Sequence, residues 1–376
     1  MNTFAPPFCA RPGCRYHSPR PDQPFAAYLP WGSYATKAFG LVPRFRCRAC
    51  GKTFSLQTFR PDYYVKRVID YEDLGQRLAS CESLSAIGRA IGASTDSISN
   101  RISRAARQAL AFESKQASAR HPREDLATDD FESFCRSQYF PNNITLLVGT
   151  RSQFVYAADH ATLRRKGRMT ETQKNKRAVL DRLFMRDPQA VRRSFGRVAG
   201  EALRVLSDSG RPALTLWTDK HKAHPRAIIA APCLSALRDL GRILHRSISS
   251  GATRTIDNPL FAVNYLDREL RKDLHEHVRE TVCFGRNVNR QMERLTFYLF
   301  WHNYRKPHRT RSEARSHAEI AGHDPEWVRK GLKSIWKQRA WLSLTDLTET
   351  MRDSWLRARP SPLRKGSDYL PRFAVA

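Results

Sequence analysis

The stretch Leu214-Thr215-Leu216-Trp217-Thr218-Asp219 alternates apolar with polar residues, the period of a half-buried β-strand, and it ends on a carboxylate. Similar patterns predict strands at 126–135, 143–149, 153–158 and 242–249. The first three follow one another closely, which implies an antiparallel meander. Helical signals fill the gaps between later strands. Thr170 with Gln173 makes a capping box, and Val191, Phe195, Val198 and Ala202 keep helical spacing after Asp187-Pro188. A short helix is predicted from about Pro225 and a long one from Asn258-Pro259.

The resulting order, three strands, helix, strand, helix, strand, helix, is that of an α/β core with a mixed sheet of the ribonuclease H type. Upstream, Leu84, Ile87 and Ile91 line one face of a helix that Gly92 breaks, and Ser94 or Thr95 can cap a second helix with Ile98, Ile102 and Ala105 facing inward. This pattern predicts helix-turn-helix. The outward side of its second helix carries Ser97, Asn100, Arg101, Arg104 and Gln108, suited to a major groove.

Four of the eight cysteines cluster as Cys9-x4-Cys14 and Cys47-x2-Cys50, the latter followed by Gly51. A tight turn brings each pair of thiolates to one ion, and two pairs complete a tetrahedral zinc site. Cys81, Cys135, Cys233 and Cys283 read as small buried hydrophobes, and His17 as a surface histidine.

Charge changes the picture most. With 65 Lys and Arg against 36 Asp and Glu, the chain carries a formal +29, which calls for a polyanionic partner. Basic stretches interleaved with aromatics favour nucleic acid over a membrane surface. No apolar run approaches the ~18 residues that span a bilayer, and the N-terminus lacks a signal-peptide pattern, so a cytoplasmic, nucleoid-associated protein is expected.

Against this basic background two acids stand out. Asp129 and Asp219 lie on strands that neighbour one another in a ribonuclease H-type sheet. Paired carboxylates repel unless a divalent ion sits between them, and Mg²⁺ takes a few carboxylates plus phosphate oxygens, in pairs about 4 Å apart when two ions act together.

The knuckle at 47–54, Asp129-Asp130-Phe131-Glu132-Ser133-Phe134, Trp217-Thr218-Asp219, Arg279-Glu280-Thr281-Val282-Cys283-Phe284 and Asn303-Tyr304-Arg305-Lys306-Pro307-His308 occur in an order that resembles bacterial insertion-sequence transposases of the DDE type with an N-terminal zinc ribbon and helix-turn-helix. The resemblance covers residues 9–309. It implies a retroviral-integrase-like core that cleaves and joins double-stranded DNA at element ends and in target, with two Asp and one Glu holding Mg²⁺ and a homo-oligomer to synapse the ends. Asp129 and Asp219 take the first two acid positions, but the spacing from Arg279-Glu280-Thr281 puts Asn264 at the third. At about 100° per residue, Asp267 lies ~60° from position 264 and Glu269 ~140° away, so Asp267 is the expected third ligand, with Asn264 and Glu269 as alternatives. Asn264 also motivates a second expectation, a transposase-derived DNA-binding regulator or inactive remnant. On the same helix Arg268, Arg271 and His275 share the polar face, beside an apolar stripe of Val263, Leu266, Leu270 and Leu274.

Two basic segments are expected to clamp DNA phosphates: Arg164, Arg165, Lys166 and Arg168 after the third strand, and Arg305 with Lys306 near residue 304. The chain divides into a zinc ribbon (1–62), a helix-turn-helix domain (63–112), a linker or extended helix end (113–124), the catalytic core (125–310) and a basic helical tail (311–376). In the tail, Trp327, Trp336, Trp341 and Trp355 are candidate core or interface anchors.

Overall fold

A computed structural model of the chain describes residues 4–18, 27–278, 283–309, 314–364 and 368–375, and every structural statement below concerns these. Arg279, Glu280, Thr281 and Val282, one piece of the resemblance above, lie outside them. The first unit is a three-stranded antiparallel sheet, β1 (Tyr28–Thr36), β2 (Gly40–Cys47) and β3 (Thr53–Ser55), against which the segment from Phe4 to His17 folds. Alternation along β2 sends Phe45 and Cys47 into an aromatic core with Phe8, Phe54 and Phe59, and leaves Arg44 and Arg46 on the other side.

The helix-turn-helix forms as its caps dictate. α1 (Tyr71–Ala79) precedes α2 (Leu84–Ile91), which stops at Gly92 in the left-handed conformation (φ +70°), and α3 (Thr95–Ala117) starts where the Ser94 side chain accepts from the Ser97 N–H. Continuing to Ala117, α3 turns the first half of the expected linker into helix.

Next come β4 (Leu126–Cys135), β5 (Ser137–Gly149) and β6 (Val155–Thr162), the predicted meander. β5 begins at Ser137, ahead of the predicted Asn143, because Asn142 and Asn143 are buried and continue the pairing to Ser133 and Glu132. After α4 (Glu171–Leu183) and α5 (Ala190–Ser209), β7 (Leu214–Asp219) lies parallel to β4. α6 (Ala223–Ala230) and α7 (Pro232–Asp239) lead to β8 (Ile243–Ile248), parallel to β7. The sheet order is therefore β6-β5-β4-β7-β8, a five-stranded mixed sheet in an α/β fold.

Helices cover both faces. α5 buries Phe195, Val198, Ala202 and Val205 against β5, β6 and β7. On the opposite face, α8 (Phe261–Asp273) packs on β4 and β5, and α9 (Val288–Tyr304) on β6. The predicted stripe of Val263, Leu266, Leu270 and Leu274 is at most 1 % exposed. Each such side chain contributes about 2 kcal/mol by leaving water.

The tail wraps back through α10 (His317–Ile320), α11 (Pro325–Ser334) and α12 (Glu349–Leu356). Trp341 enters the ribbon core, Trp355 is fully buried and Trp336 stacks on Tyr71 at 4.8 Å, whereas Trp327 stays 41 % exposed. Buried Glu293 of α9 receives Arg107 of α3 and Arg357 of the tail, both at 2.8 Å, and the Ser103 hydroxyl at 2.9 Å. One apolar core runs continuously from α1 through the sheet to α11. Among the described residues no helix is long and apolar enough to cross a membrane.

Candidate functional site

Two sites emerge, and the chemistry of their ligand atoms separates them. In the ribbon, the β2–β3 turn brings Cys47 and Cys50 together, with the Gly51 N–H donating to the Cys47 carbonyl at 2.9 Å and Gly51 at φ +69°. The segment around Cys9 and Cys14 closes from the other side. The sulfurs of Cys9 and Cys50 are 3.6 Å apart, those of Cys14 and Cys47 3.8 Å, and all four lie within 4.8 Å of one another. Tetrahedral zinc with bonds of ~2.3 Å needs sulfurs about 3.8 Å apart, so these four cysteines can hold a metal such as zinc. Burial pushes the Cys9 and Cys14 thiols up, an effect that a bound divalent cation reverses.

His17 corrects the expectation of a surface histidine. It is 4 % exposed, with Nδ1 at 2.7 Å from the Cys9 carbonyl and Nε2 at 2.7 Å from the Ser343 hydroxyl, so it buttresses the first cysteine from behind. Of the single cysteines, Cys135 is buried, Cys81 half-buried, and Cys233 and Cys283 are exposed, contrary to expectation.

The second site lies where β4 and β7 end. Their parallel register pairs Leu126 with Leu216 and Ala127 with Trp217, and two residues further on it sets Asp129 beside Asp219. Burial raises the Asp129 pKa, the negative charges of Asp219 and Asp130 add to the rise, and Arg254 opposes it. From α8, Asp267 lies within electrostatic reach of Asp129 and Asp130. Burial and then the Asp129 charge hold its carboxyl well above the usual range, Arg271 acting against them, and its Oδ1 is buried with no hydrogen-bond partner.

The other third-acid alternatives point elsewhere. Asn264 Nδ2 donates to the Leu260 carbonyl of its own helix at 2.9 Å. Glu269 is buried against Lys306 Nζ at 2.6 Å and His302 Nδ1 at 3.1 Å; although burial works against ionisation, these partners hold it down to about 2. A carboxylate so paired is not free to ligate.

Sequence reasoning missed His224, in the first turn of α6 just after Asp219. The imidazole is 1 % exposed, stacks on Phe195 at 4.2 Å, and sits with Nδ1 3.0 Å from Asp219 Oδ1 and Nε2 4.0 Å from Asp130 Oδ2, close but off the line of a hydrogen bond. Strand alternation explains the arrangement. Asp130 turns toward α5, where the Thr145 hydroxyl donates to it at 2.7 Å, while Phe131 turns to the other face beneath Arg271. Burial favours the neutral acid of Asp130, yet His224, Thr145 and Asn143 hold it below the usual range.

Among the described residues, the four thiols are the one group of three or more His, Cys, Asp or Glu side chains close enough to share an ion as they stand. Asp129 is the electrostatic neighbour of Asp219 on one side and of Asp267 on the other, and the three carboxylates are not a closed cage.

Several expected DNA contacts are committed inside the molecule. Arg101 is 7 % exposed and donates to the Arg67 carbonyl at 3.1 Å and to Asn100 at 2.9 Å. Arg104 donates to the Pro61 carbonyl at 3.0 Å and lies over the Phe373 ring, and Gln108 donates to the Ile335 carbonyl at 2.6 Å. The expected outward face of α3 is thus partly covered by the tail and the ribbon junction, burying Arg101 and Gln108 and leaving Ser97, Asn100 and Arg104 half-exposed. Arg305 pairs with Glu72, and Lys306 with Glu269 and Asp273. Arg164 reaches Asp181 at 2.7 Å and Arg165 covers the Tyr139 ring, whereas Lys166, Arg168 and Arg268 are exposed. Arg271, in contact with the Asp267 side of the site, also donates to the Glu132 carbonyl at 3.4 Å. No family model matches the chain, and no curated protein matches it.

Proposed function

We propose that the chain is a transposase of the insertion-sequence type, a ribonuclease H-like core that cuts and joins double-stranded DNA with Mg²⁺ as cofactor, and that the ribbon holds a structural Zn²⁺. The observation that carries the reading is the placing of Asp129 beside Asp219 at the ends of β4 and β7, with Asp267 of α8 within electrostatic reach of Asp129, in a chain of formal charge +29. The sheet order β6-β5-β4-β7-β8 supports the fold assignment, since it places the first and fourth core strands side by side.

The residues fit a divalent cation. Asp267 keeps an unpartnered buried oxygen, and beyond the burial that chiefly raises both carboxyls, the Asp129 charge adds to the rise of Asp267 and the Asp219 charge to that of Asp129, repulsion that a cation relieves. When bound, Mg²⁺ supplies charge neutralisation for the phosphodiester and activation of the attacking oxygen. The chain's own residues do the rest. Asp129 and Asp219 are presented by two rigid strands, Asp267 by a helix whose apolar stripe is locked into the core, and Arg254, Arg268 and Arg271 offer cations beside them for the DNA backbone.

The test is strand transfer by the purified chain on DNA carrying the element's ends, with Mg²⁺. Asp129→Asn and Asp219→Asn are expected to abolish cleavage and joining; activity equal to the parent's would sink the mechanism. Asn264, at the position where the resemblance implies an acid, favours a second reading, a DNA-binding regulator without strand transfer. Sequence-specific binding with no Mg²⁺-dependent cleavage in folded preparations would establish it.

A further inference from the structure

The outer face of the zinc ribbon carries a feature that strand transfer does not use. Trp31 is 44 % exposed and Tyr64 57 % exposed, and both stand beside arginines of β2. The Arg46 guanidinium lies 4.8 Å from the Trp31 ring centre, and Arg44 is within electrostatic reach of Tyr64. At the hairpin tip, Arg60 lies 4.7 Å from the Phe39 ring centre. Among the described residues neither Arg44 nor Arg46 has a carboxylate partner. The zinc-side core needs none of these side chains, since it is filled by Phe8, Phe45, Phe54, Phe59 and Trp341 from the opposite face of the sheet.

Tyr64 adds a second, independent signal. Its backbone is left-handed at φ +49°, a conformation costing a non-glycine residue about 1 kcal/mol, and the result is a ring held out into water 4.3 Å from Tyr63. In a duplex the bases already stack on one another, so a flat ring can engage them only by wedging between base pairs at the cost of unstacking. Unpaired bases do present free π-faces, and each base stacked on an aromatic side chain brings its phosphate within reach of neighbouring cations.

We propose that this face of the ribbon is a binding platform for single-stranded DNA, with Trp31 and Tyr64 stacking unpaired bases and Arg44 and Arg46 neutralising the intervening phosphates. The inference takes from the proposed function only that DNA is the partner. It adds that the chain holds melted or frayed strand, as well as duplex.

The experiment uses the whole zinc-loaded chain and fluorescence anisotropy with a labelled oligothymidylate and a duplex of equal length. Trp31→Ala and Tyr64→Ala are each expected to weaken oligothymidylate binding about 10-fold while leaving duplex binding unchanged, and Trp31→Phe to restore most of the loss. Arg44→Gln and Arg46→Gln should each lower the salt dependence by about one phosphate's worth, which the aromatic variants should not. Zinc content equal to the parent's checks that the ribbon is intact. Parental affinity in both alanine variants overturns the platform, and so does an equal loss on duplex and single strand. The reading stands apart from catalysis. A parent that binds oligothymidylate through Trp31 yet transfers no strand removes the transposase and leaves the platform.

Discussion

The cysteine cluster, which can hold one ion, and the carboxylate group proposed to hold another are built in opposite ways. The four thiols already lie within 4.8 Å of one another, walled by Phe8, Phe54, Phe59 and Trp341, with His17 bracing the Cys9 backbone. Asp129, Asp219 and Asp267 come from two strand ends and a helix and stop short of closing. The first arrangement suits an ion that completes a fold, the second an ion that waits for substrate oxygens. A closed site stabilises the chain when filled; an open one holds repulsion in reserve.

Substitutions that exchange the two roles would break this contrast. Asp219→Asn is expected to cost strand transfer more than about 1,000-fold with melting temperature and zinc content unchanged, a loss typical of removing a group used mainly in the transition state. Cys50→Ser should do the reverse, releasing zinc and lowering stability by about 3 kcal/mol, read by metal analysis and chemical unfolding. Glu269→Gln separates the role of Glu269 from that of Asp267 on α8. Because Glu269 is held down to about 2, its ion pairs stabilise the fold above the unfolded carboxyl pKa, and that stability is lost as pH falls through the folded value. The variant should therefore lose about 2–3 kcal/mol at neutral pH, a deficit that shrinks between roughly pH 4.5 and 2 in acid-unfolding curves. Cation requirement should stay at the parental level.

Smaller effects sharpen the picture. His224→Phe keeps the stack on Phe195 and removes both nitrogens beside Asp219 and Asp130. It is expected to raise the Mg²⁺ concentration for half-maximal cleavage about 10-fold, since groups that orient a ligand tune metal affinity by such factors. Asp267→Asn removes a buried charge that its neighbours oppose, so it should stabilise the metal-free chain by about 1 kcal/mol at neutral pH while abolishing cleavage. A destabilised Asp267→Asn would mean that its carboxylate is already satisfied.

Much of this was legible in the chain, and the limits have a physical cause. Alternation placed β7 and ended it at Asp219, caps and Gly92 placed α2 and α3, and the 3.6-residue period distinguished Asp267 from Glu269. Periodicity reports which side of an element is apolar, however, and not what comes back from far along the sequence to cover the polar side. Arg101, Arg104 and Gln108 read as an outward face because a lone helix would leave them there; Arg67, Pro61, Ile335 and Phe373 close over them. Lys306 read as a phosphate clamp because its carboxylates, Glu269 and Asp273, sit on another helix. His224 gave no signal beyond standing in the helix that follows Asp219. Its value depends on the facing strand, where Asp130 points to the same side.

The contact of Trp341 and Ser343 with Phe8 and His17 sets an order of events during synthesis. A ribosome makes the four ribbon cysteines long before Trp341 and Ser343, so the aromatic wall and the histidine brace behind them are complete only once those two residues have emerged. A stop codon ahead of Trp341 would therefore damage a unit encoded far upstream, and the terminated chain would be released with an unfinished ribbon.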